Sequence, residues 1–396
     1  MQALAFEGKG FEYFKIWIVN ILLTVVTLGI YYPWAKVRNA RYFYANSTLE
    51  GKNFEYHATG KQLFIGYIIS MVLLILYIVI QNVSVVGGFV VLGLLFIAFP
   101  WIIWRSMKFN MRVTSFSNVR FSFAGKLSGA YFNFLLLPIL FIIAIYAIPA
   151  ALAYFTMMSG GGSSVKQWMI ALGFLIVPAL AVFLYSYMKK RNVKYLYNGS
   201  RYGQGEFSSD AVVAPFVTIL LKTIGLFLLG VAGLFAISGL IIWSMGLGSD
   251  LMQLAPAMND PEARASVVQS PLVIILIAVI YIGFIFVSLL AFAYSYARQR
   301  EYIYDTTTLD NKISFKSTLR ARKLAFVTIT NFLLVIFTLG LAMPWAKVRM
   351  ARLLLGNSQV DTSVGIDGYV TQQQKEQSSL GEQIGDAFDV DVGIAI

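Results

Sequence analysis

The side chains that could do chemistry in this sequence are few. One histidine, His57, sits between Tyr56 and Ala58, and Glu50 and Glu55 are its nearest carboxylates. Glu55 alternates with His57 on one possible strand face, the spacing an acid–base dyad would use. A metal site needs further ligands, and none lie close in sequence, so a solvated hairpin face is the better reading. The chain has no cysteine, which excludes disulfides, thiolate catalysis and zinc–thiolate centres. Gly203-Gln204-Gly205 and Gly160-Gly161-Gly162 read as turns, since no Walker-type phosphate loop surrounds them. With no cofactor motif and no buried carboxylate pair, the expectation is a non-enzyme without cofactor or metal.

Three polar residues inside apolar stretches are the remaining candidates. Lys222 is the one charge deep in a hydrophobic segment, where an ionisable group marks a functional site unless it snorkels to an interface. Asn20 and Asn331 occupy matching places in a duplicated segment. A buried Asn can contact a substrate or, as the plainer reading has it, bond across a helix pair for about 0.6 kcal/mol. A stripe of small residues, Gly225, Gly230, Gly233, Ala236 and Gly239, suits close helix packing better than a flexible gate.

The elements that must hold these residues are membrane spans. The chain is 58% hydrophobic and 13% charged, with 31 Phe, 22 Tyr and 7 Trp, far from the balance of a soluble domain. Eight hydrophobic segments are predicted, at 16–34, 63–80, 85–104, 132–157, 168–188, 211–247, 271–297 and 324–343. Pro138, Pro149 and Pro178 inside them read as tolerated kinks. The fold class is therefore an all-α polytopic membrane protein. The net charge of +12 lies beside the spans, which points to anionic headgroups of the lipid bilayer and away from nucleic acid. Counting Lys and Arg in alternate connections gives 22 on one side and two on the other. The basic loops are thus expected in the cytoplasm of a multi-pass protein.

Those four loops resemble one another, and short β-hairpins are predicted in them around Gly, Asn or Asp turns. From Asn20 to Arg41, set against Asn331 to Arg352, 14 of 22 positions are identical. Each copy runs from Thr-Leu-Gly into Pro-Trp-Ala-Lys-Val-Arg. Trp34, Lys36, Arg38 and Arg41, with Trp345, Lys347, Arg349 and Arg352, are expected as interface anchors after a helix that glycine breaks and proline stops. If both segments cross, the two collars face opposite sides. If they are re-entrant, both collars stay cytoplasmic, and the charge balance does not choose between the two.

Phe6-Glu7-Gly8, Glu12-Tyr13-Phe14, Asn20, Thr27-Leu28-Gly29-Ile30-Tyr31, Trp34, Arg38, Asn46-Ser47-Thr48-Leu49 and Gly51 together resemble the signature of the YjgN-like family. The acidic ending around Gly381-Glu382-Gln383-Ile384 and Asp386 to Asp391 is similar too. The resemblance covers essentially the whole chain. It implies a bacterial inner-membrane protein and supplies no reaction, substrate or site residue.

Two domains are expected: an integral membrane domain over 1–359 and an acidic, polar tail over 360–396. The tail carries seven acids against Lys375 and would either stay disordered or dock, through its last fifteen residues, on the protein's own basic collars or on a protein partner. The expected activity is that of a transporter or channel-like protein for a small solute or lipid. The alternative is a non-catalytic scaffold or lipid-interacting protein with a cytoplasmic platform.

Overall fold

The computed structural model describes residues 1–158, 163–244, 271–361, 363 and 368–374. The glycine loop at 160–162, the acidic loop at 246–270 with the end of the sixth segment, and the acidic residues from 375 onward lie outside these. So does the proposed docking of the last fifteen residues.

Five helical hairpins alternate with short strands. Strands β1 (Gln2–Ala3) and β2 (Ala5–Phe6) lead into α1 (Gly10–Val26) and α2 (Tyr32–Ala45). Then come β3 (Ser47–Leu49), β4 (Lys52–Tyr56), α3 (Gly60–Val83), α4 (Val85–Arg112), β5 (Thr114–Phe116) and β6 (Val119–Phe123). Next are α5 (Leu127–Tyr131), a π-helical turn at Phe132–Leu136, α6 (Leu137–Met158), α7 (Ser163–Gly199), β7 (Ser200–Tyr202) and β8 (Gly205–Ser209). The rest are α8 (Val213–Ser244), α9 (Pro271–Asp305), β9 (Thr307–Leu309), β10 (Ile313–Ser317), α10 (Ala321–Phe337), α11 (Met343–Gly356) and β11 (Ser358–Val360).

The predicted hairpins form, and they do not stand alone. All eleven strands join one antiparallel sheet in the order β1-β11-β10-β9-β8-β7-β6-β5-β4-β3-β2. Its two edges are consecutive in the chain. Gln2 pairs with Val360 and Phe6 pairs with Ser47, with only Leu4 between β1 and β2. The sheet therefore closes on itself, and a barrel has no open edge to protect. The chain is mostly helical, but the expectation of an all-α protein omits this barrel. Two-residue turns with positive φ connect β3 to β4 (Glu50, Gly51) and β5 to β6 (Ser117, Asn118), the geometry that matches strand twist.

Each passage from helix to strand has one device. The hydroxyl that opens the strand donates to the helix carbonyl four residues back: Ser47 to Phe43, Thr114 to Asn110, Ser200 to Leu196, Thr307 to Ile303 and Ser358 to Leu354, at 2.6–2.9 Å. These bonds satisfy carbonyls that a helix end leaves without a partner.

Among the described residues, six helices are long and apolar enough to cross a membrane: Gly60–Val83, Val85–Arg112, Leu127–Met158, Gln167–Gly199, Val213–Ser244 and Ile274–Asp305. The first and last predicted segments are not among them. Each is a helical hairpin whose two ends enter paired strands, β2 with β3 and β10 with β11, so a single crossing is excluded and the chain turns back.

The turn is the Thr-Leu-Gly motif. Leu28 and Leu339 have φ of 49° and 50°, and Gly29 and Gly340 have φ of 91° and 90°. Thr27 and Thr338 each donate Oγ1 to a carbonyl four residues back and accept from the backbone of Tyr31 and Ala342, at 3.0 Å in both. The amides of Leu28, Gly29 and Ile30 also find carbonyls within the turn. Non-helical backbone survives at membrane depth only when it is satisfied in this way. The tips are apolar and bare, with Leu28 91% and Leu339 94% exposed.

One expectation is corrected here. Pro33 and Pro344 do not stop helices; they occupy the first turns of α2 and α11. A proline lacks an N–H that the first turn would leave unused, and its fixed φ already suits a helix.

The chain divides into two compact units, Met1–Val217 with Arg300–Leu319 and Leu334–Ile396, and Thr218–Gln299 with Arg320–Leu333. The first contains the whole sheet. In the second, Gly230 lies against Val287, Gly283 against Leu234, and Phe227 meets Phe284 edge-on at 5.5 Å between centroids. Of the small-residue stripe, Gly230 has this close neighbour, while Gly225, Gly233 and Gly239 face open space.

Candidate functional site

Strand pleating sends alternate residues into the barrel. The middle residue of each second strand points inward: Phe54, Phe121, Phe207 and Phe315. The last residue of each first strand does the same: Leu49, Phe116, Tyr202, Leu309 and Val360. With Leu4 and Ile313 they enclose a chamber of about 270 Å³. Among the described residues, no charged side chain lines it. A lining this apolar favours apolar guests over polar ones. The chamber lies just under the range of about 300–1,000 Å³ usual for small-molecule sites.

The polar atoms at the wall are satisfied. Tyr202, 4% exposed, donates its hydroxyl to the Phe116 carbonyl at 3.0 Å. Burial pushes its phenol well above the ordinary tyrosine range. Thr307 and Ser358 spend their hydroxyls on helix carbonyls.

The two mouths differ. Tyr197, Tyr304 and Leu355, from the strand-proximal ends of α7, α9 and α11, line one. Beside it Arg300 donates from Nη2 to Ser358 Oγ at 2.5 Å and to the Leu354 carbonyl and Tyr304 hydroxyl at 3.1 Å. Residues 368–374, a short helical segment, cover the mouth at the hairpin turns. Tyr369 and Val370 are buried against the chamber. Tyr369 donates to Asp310 Oδ2 at 2.5 Å, Gln373 Oε1 accepts from the Gln204 amide at 2.6 Å, and Gln374 donates to the Ser117 carbonyl at 2.6 Å. Asp310, Gln204 and Ser117 lie in three different hairpin turns, so the segment ties them together. The compact region therefore continues past residue 359.

The residues singled out in the sequence do not line the chamber. Lys222 is exposed on α8, nine residues after its start, or about 14 Å along the axis. Asn20 is buried, and its Nδ2 donates to Asn39 Oδ1 at 3.0 Å across α1 and α2. Asn331 is buried as well, but Met350 stands where the first copy has Asn39.

The collars make packing contacts. Trp34 covers Gly60 and lies 5.1 Å from the Phe64 ring; Trp345 covers Gly10 and lies 5.1 Å from Phe14. A Cβ on either glycine would fall 2.2–2.4 Å from the indole, so both positions exclude a side chain unless the ring moves. Arg41 donates to the Ala58 carbonyl at 2.9 Å and Arg352 to the Gly8 carbonyl at 3.0 Å. The second copy thus grips the start of α1 as the first grips the start of α3. Arg38 donates to the Tyr31 hydroxyl at 3.3 Å, Lys36 and Lys347 are exposed, and Arg349 is half-buried.

His57 Nε2 lies 2.7 Å from Ser115 Oγ and 3.3 Å from Glu55 Oε2. Both partners meet the same ring nitrogen, so the carboxylate does not orient the ring from behind as a nucleophile's base requires. Glu50 sits in the β3–β4 turn. Among the described residues no group of His, Asp and Glu could hold a metal ion.

The family model described as "Bacterial protein of unknown function (DUF898)" matches residues 1–387. "Inner membrane protein YjgN" of Salmonella typhimurium is 29% identical over 367 residues, covering 91% of this chain and 88% of that protein. A protein of the same name from Escherichia coli K12 is 27% identical over 355 residues, covering 88% of this chain and 86% of its own length. No solved structure matches the chain.

Proposed function

The chain belongs to the DUF898 family, and from that premise we propose that this multi-pass inner-membrane protein handles a small apolar molecule or lipid through its barrel. The role is transporter or channel-like and non-catalytic, and the positive-inside rule puts the barrel in the cytoplasm. One observation carries the reading: a chamber lined by uncharged side chains, with helix ends at one mouth and residues 368–374 packed over the other. A ligand entering from the helix side would exchange bilayer for Phe and Leu surface at little cost in solvation. Ions have no comparable path, since a charge in an unpaired apolar chamber is expensive.

A scaffold reading has its own support. Among the described residues, the six candidate spans are almost wholly exposed along their apolar lengths. Exchange of a fluorescent acyl probe between proteoliposomes separates the two. Carriage predicts protein-dependent exchange that Leu309→Trp, which fills the chamber, removes. Equal exchange with and without that substitution would leave the scaffold.

A further inference from the structure

A second cavity, of about 450 Å³, opens between α3 and α4 and has a different chemistry. Lys36 of α2 and Arg105, Lys108 and Arg112 of α4 line it, and among the described residues no Asp or Glu does. The three α4 residues fall at i, i+3 and i+7, which places them on one helix face. None of the four forms an ion pair among the described residues. Two are held by aromatic faces: Arg105 lies 5.8 Å from the Trp101 ring and Lys108 Nζ 4.0 Å from the Trp104 ring. Four like charges gathered without a counter-charge repel one another, so the site as built favours an anion. Gln62, Ser106 and Asn110 add hydrogen-bonding groups at the same level.

Away from these cations the cleft becomes apolar. Leu63, Gly66, Ser70 and Ile102 line the part farther along the span, and Ser70 lies about 12 Å along α3 from Gln62. Ser70 spends its hydroxyl on the Gly66 carbonyl at 2.9 Å. A Cβ at Gly66 would meet nothing within 4 Å, so the glycine leaves a groove open along the span. A free phosphate has no use for that groove, whereas a phospholipid would lay an acyl chain in it.

We propose that the α3–α4 cleft is a binding site for an anionic phospholipid. Its phosphate sits among Lys36, Arg105, Lys108 and Arg112, and an acyl chain lies over Gly66. The site is independent of the chamber and of the function assigned to it.

The test is a titration of the detergent-solubilised full chain with phosphatidylglycerol, phosphatidylcholine or inorganic phosphate, followed as a thermal shift. Phosphatidylglycerol is expected to bind, with the other two weaker by at least about tenfold. Replacing Arg105, Lys108 and Arg112 with Gln should weaken phosphatidylglycerol binding at least about tenfold. The matched removal of Lys189, Lys190 and Lys194 from α7 should change it less than about twofold. Gly66→Leu keeps every charge and blocks the groove, and it should lower affinity by a similar factor even if the triple variant fails to fold. Equal losses in the two triple variants would overturn the site in favour of diffuse attraction. A full shift with inorganic phosphate, or unchanged binding by Gly66→Leu, would overturn the lipid.

Discussion

The barrel chamber and the α3–α4 cleft are cavities of one chain made from opposite materials. The chamber collects apolar side chains from a closed sheet and admits no charge. The cleft collects four cations at helix ends and admits no acid. The chamber's lining residues are the same ones that form the hydrophobic core of the sheet. The helices already have lipid around them, so their charged cleft adds nothing to the core. Stability should therefore follow the chamber, and sensitivity to headgroup charge should follow the cleft.

The largest break in that division comes from putting a charge where the barrel has none. Leu309 is 5% exposed and lines the chamber; Leu309→Asp should cost about 3–5 kcal/mol and abolish a monodisperse peak in size-exclusion chromatography. Arg105→Gln in the cleft should shift stability by less than about 0.5 kcal/mol. Comparable losses from both would erase the distinction.

Next is the segment at the turn-side mouth. A chain ending after residue 366 loses Tyr369, Val370 and the bonds that tie three turns. Its chamber should bind an uncharged fluorescent probe about tenfold more tightly, the factor set by roughly 1.4 kcal/mol, while phosphatidylglycerol binding stays unchanged. Weaker probe binding would mean that the segment holds the barrel together more than it closes it.

An effect of similar size concerns Tyr202. Tyr202→Phe removes the donor to the Phe116 carbonyl and should cost about 1–2 kcal/mol at neutral pH, read from a denaturant or thermal melt. Burial raises this phenol above its ordinary value of 10.0, so the folded protein holds the proton more tightly than the unfolded chain. That contribution is whole below pH 10 and is lost as pH rises toward the folded value, at up to about 1.4 kcal/mol per pH unit. The phenylalanine variant should fall less steeply on this alkaline limb. Parallel curves would remove Tyr202 from the account.

Much of the local structure was legible in the sequence. The charge map and the aromatic–polar alternation located every hairpin, because period-two patterning and turn residues are local signals. The all-α expectation missed the barrel because its strands are two to five residues long and pair across intervening spans. Phe121 meets Tyr202, and Phe207 meets Leu309, through no signal shorter than the loop between them. A trace was present all the same: Phe54, Phe121, Phe207 and Phe315 each stand third in their strands. Proline's helix-breaking effect predicts a stop, but its fixed φ and missing N–H suit the first turn that Pro33 and Pro344 occupy. The chemistry-bearing residues led elsewhere, since the chamber uses none of them and the cleft uses Lys36 alone of the expected anchors.

Closure by residues 2–6 also sets a clock. β1 and β2 are synthesised long before β11, which begins at residue 358, and find their last partner only when it has emerged. At about 5–20 residues per second, the roughly 350 residues between them take on the order of 20–70 s. Through that interval β1 waits, and the edge that β11 will fill stays open. The clasp can fasten only after every helical hairpin in between has been synthesised. A closed barrel is thus a record that the chain was translated through β11, and a chain stalled part-way carries an open edge by which it can be distinguished.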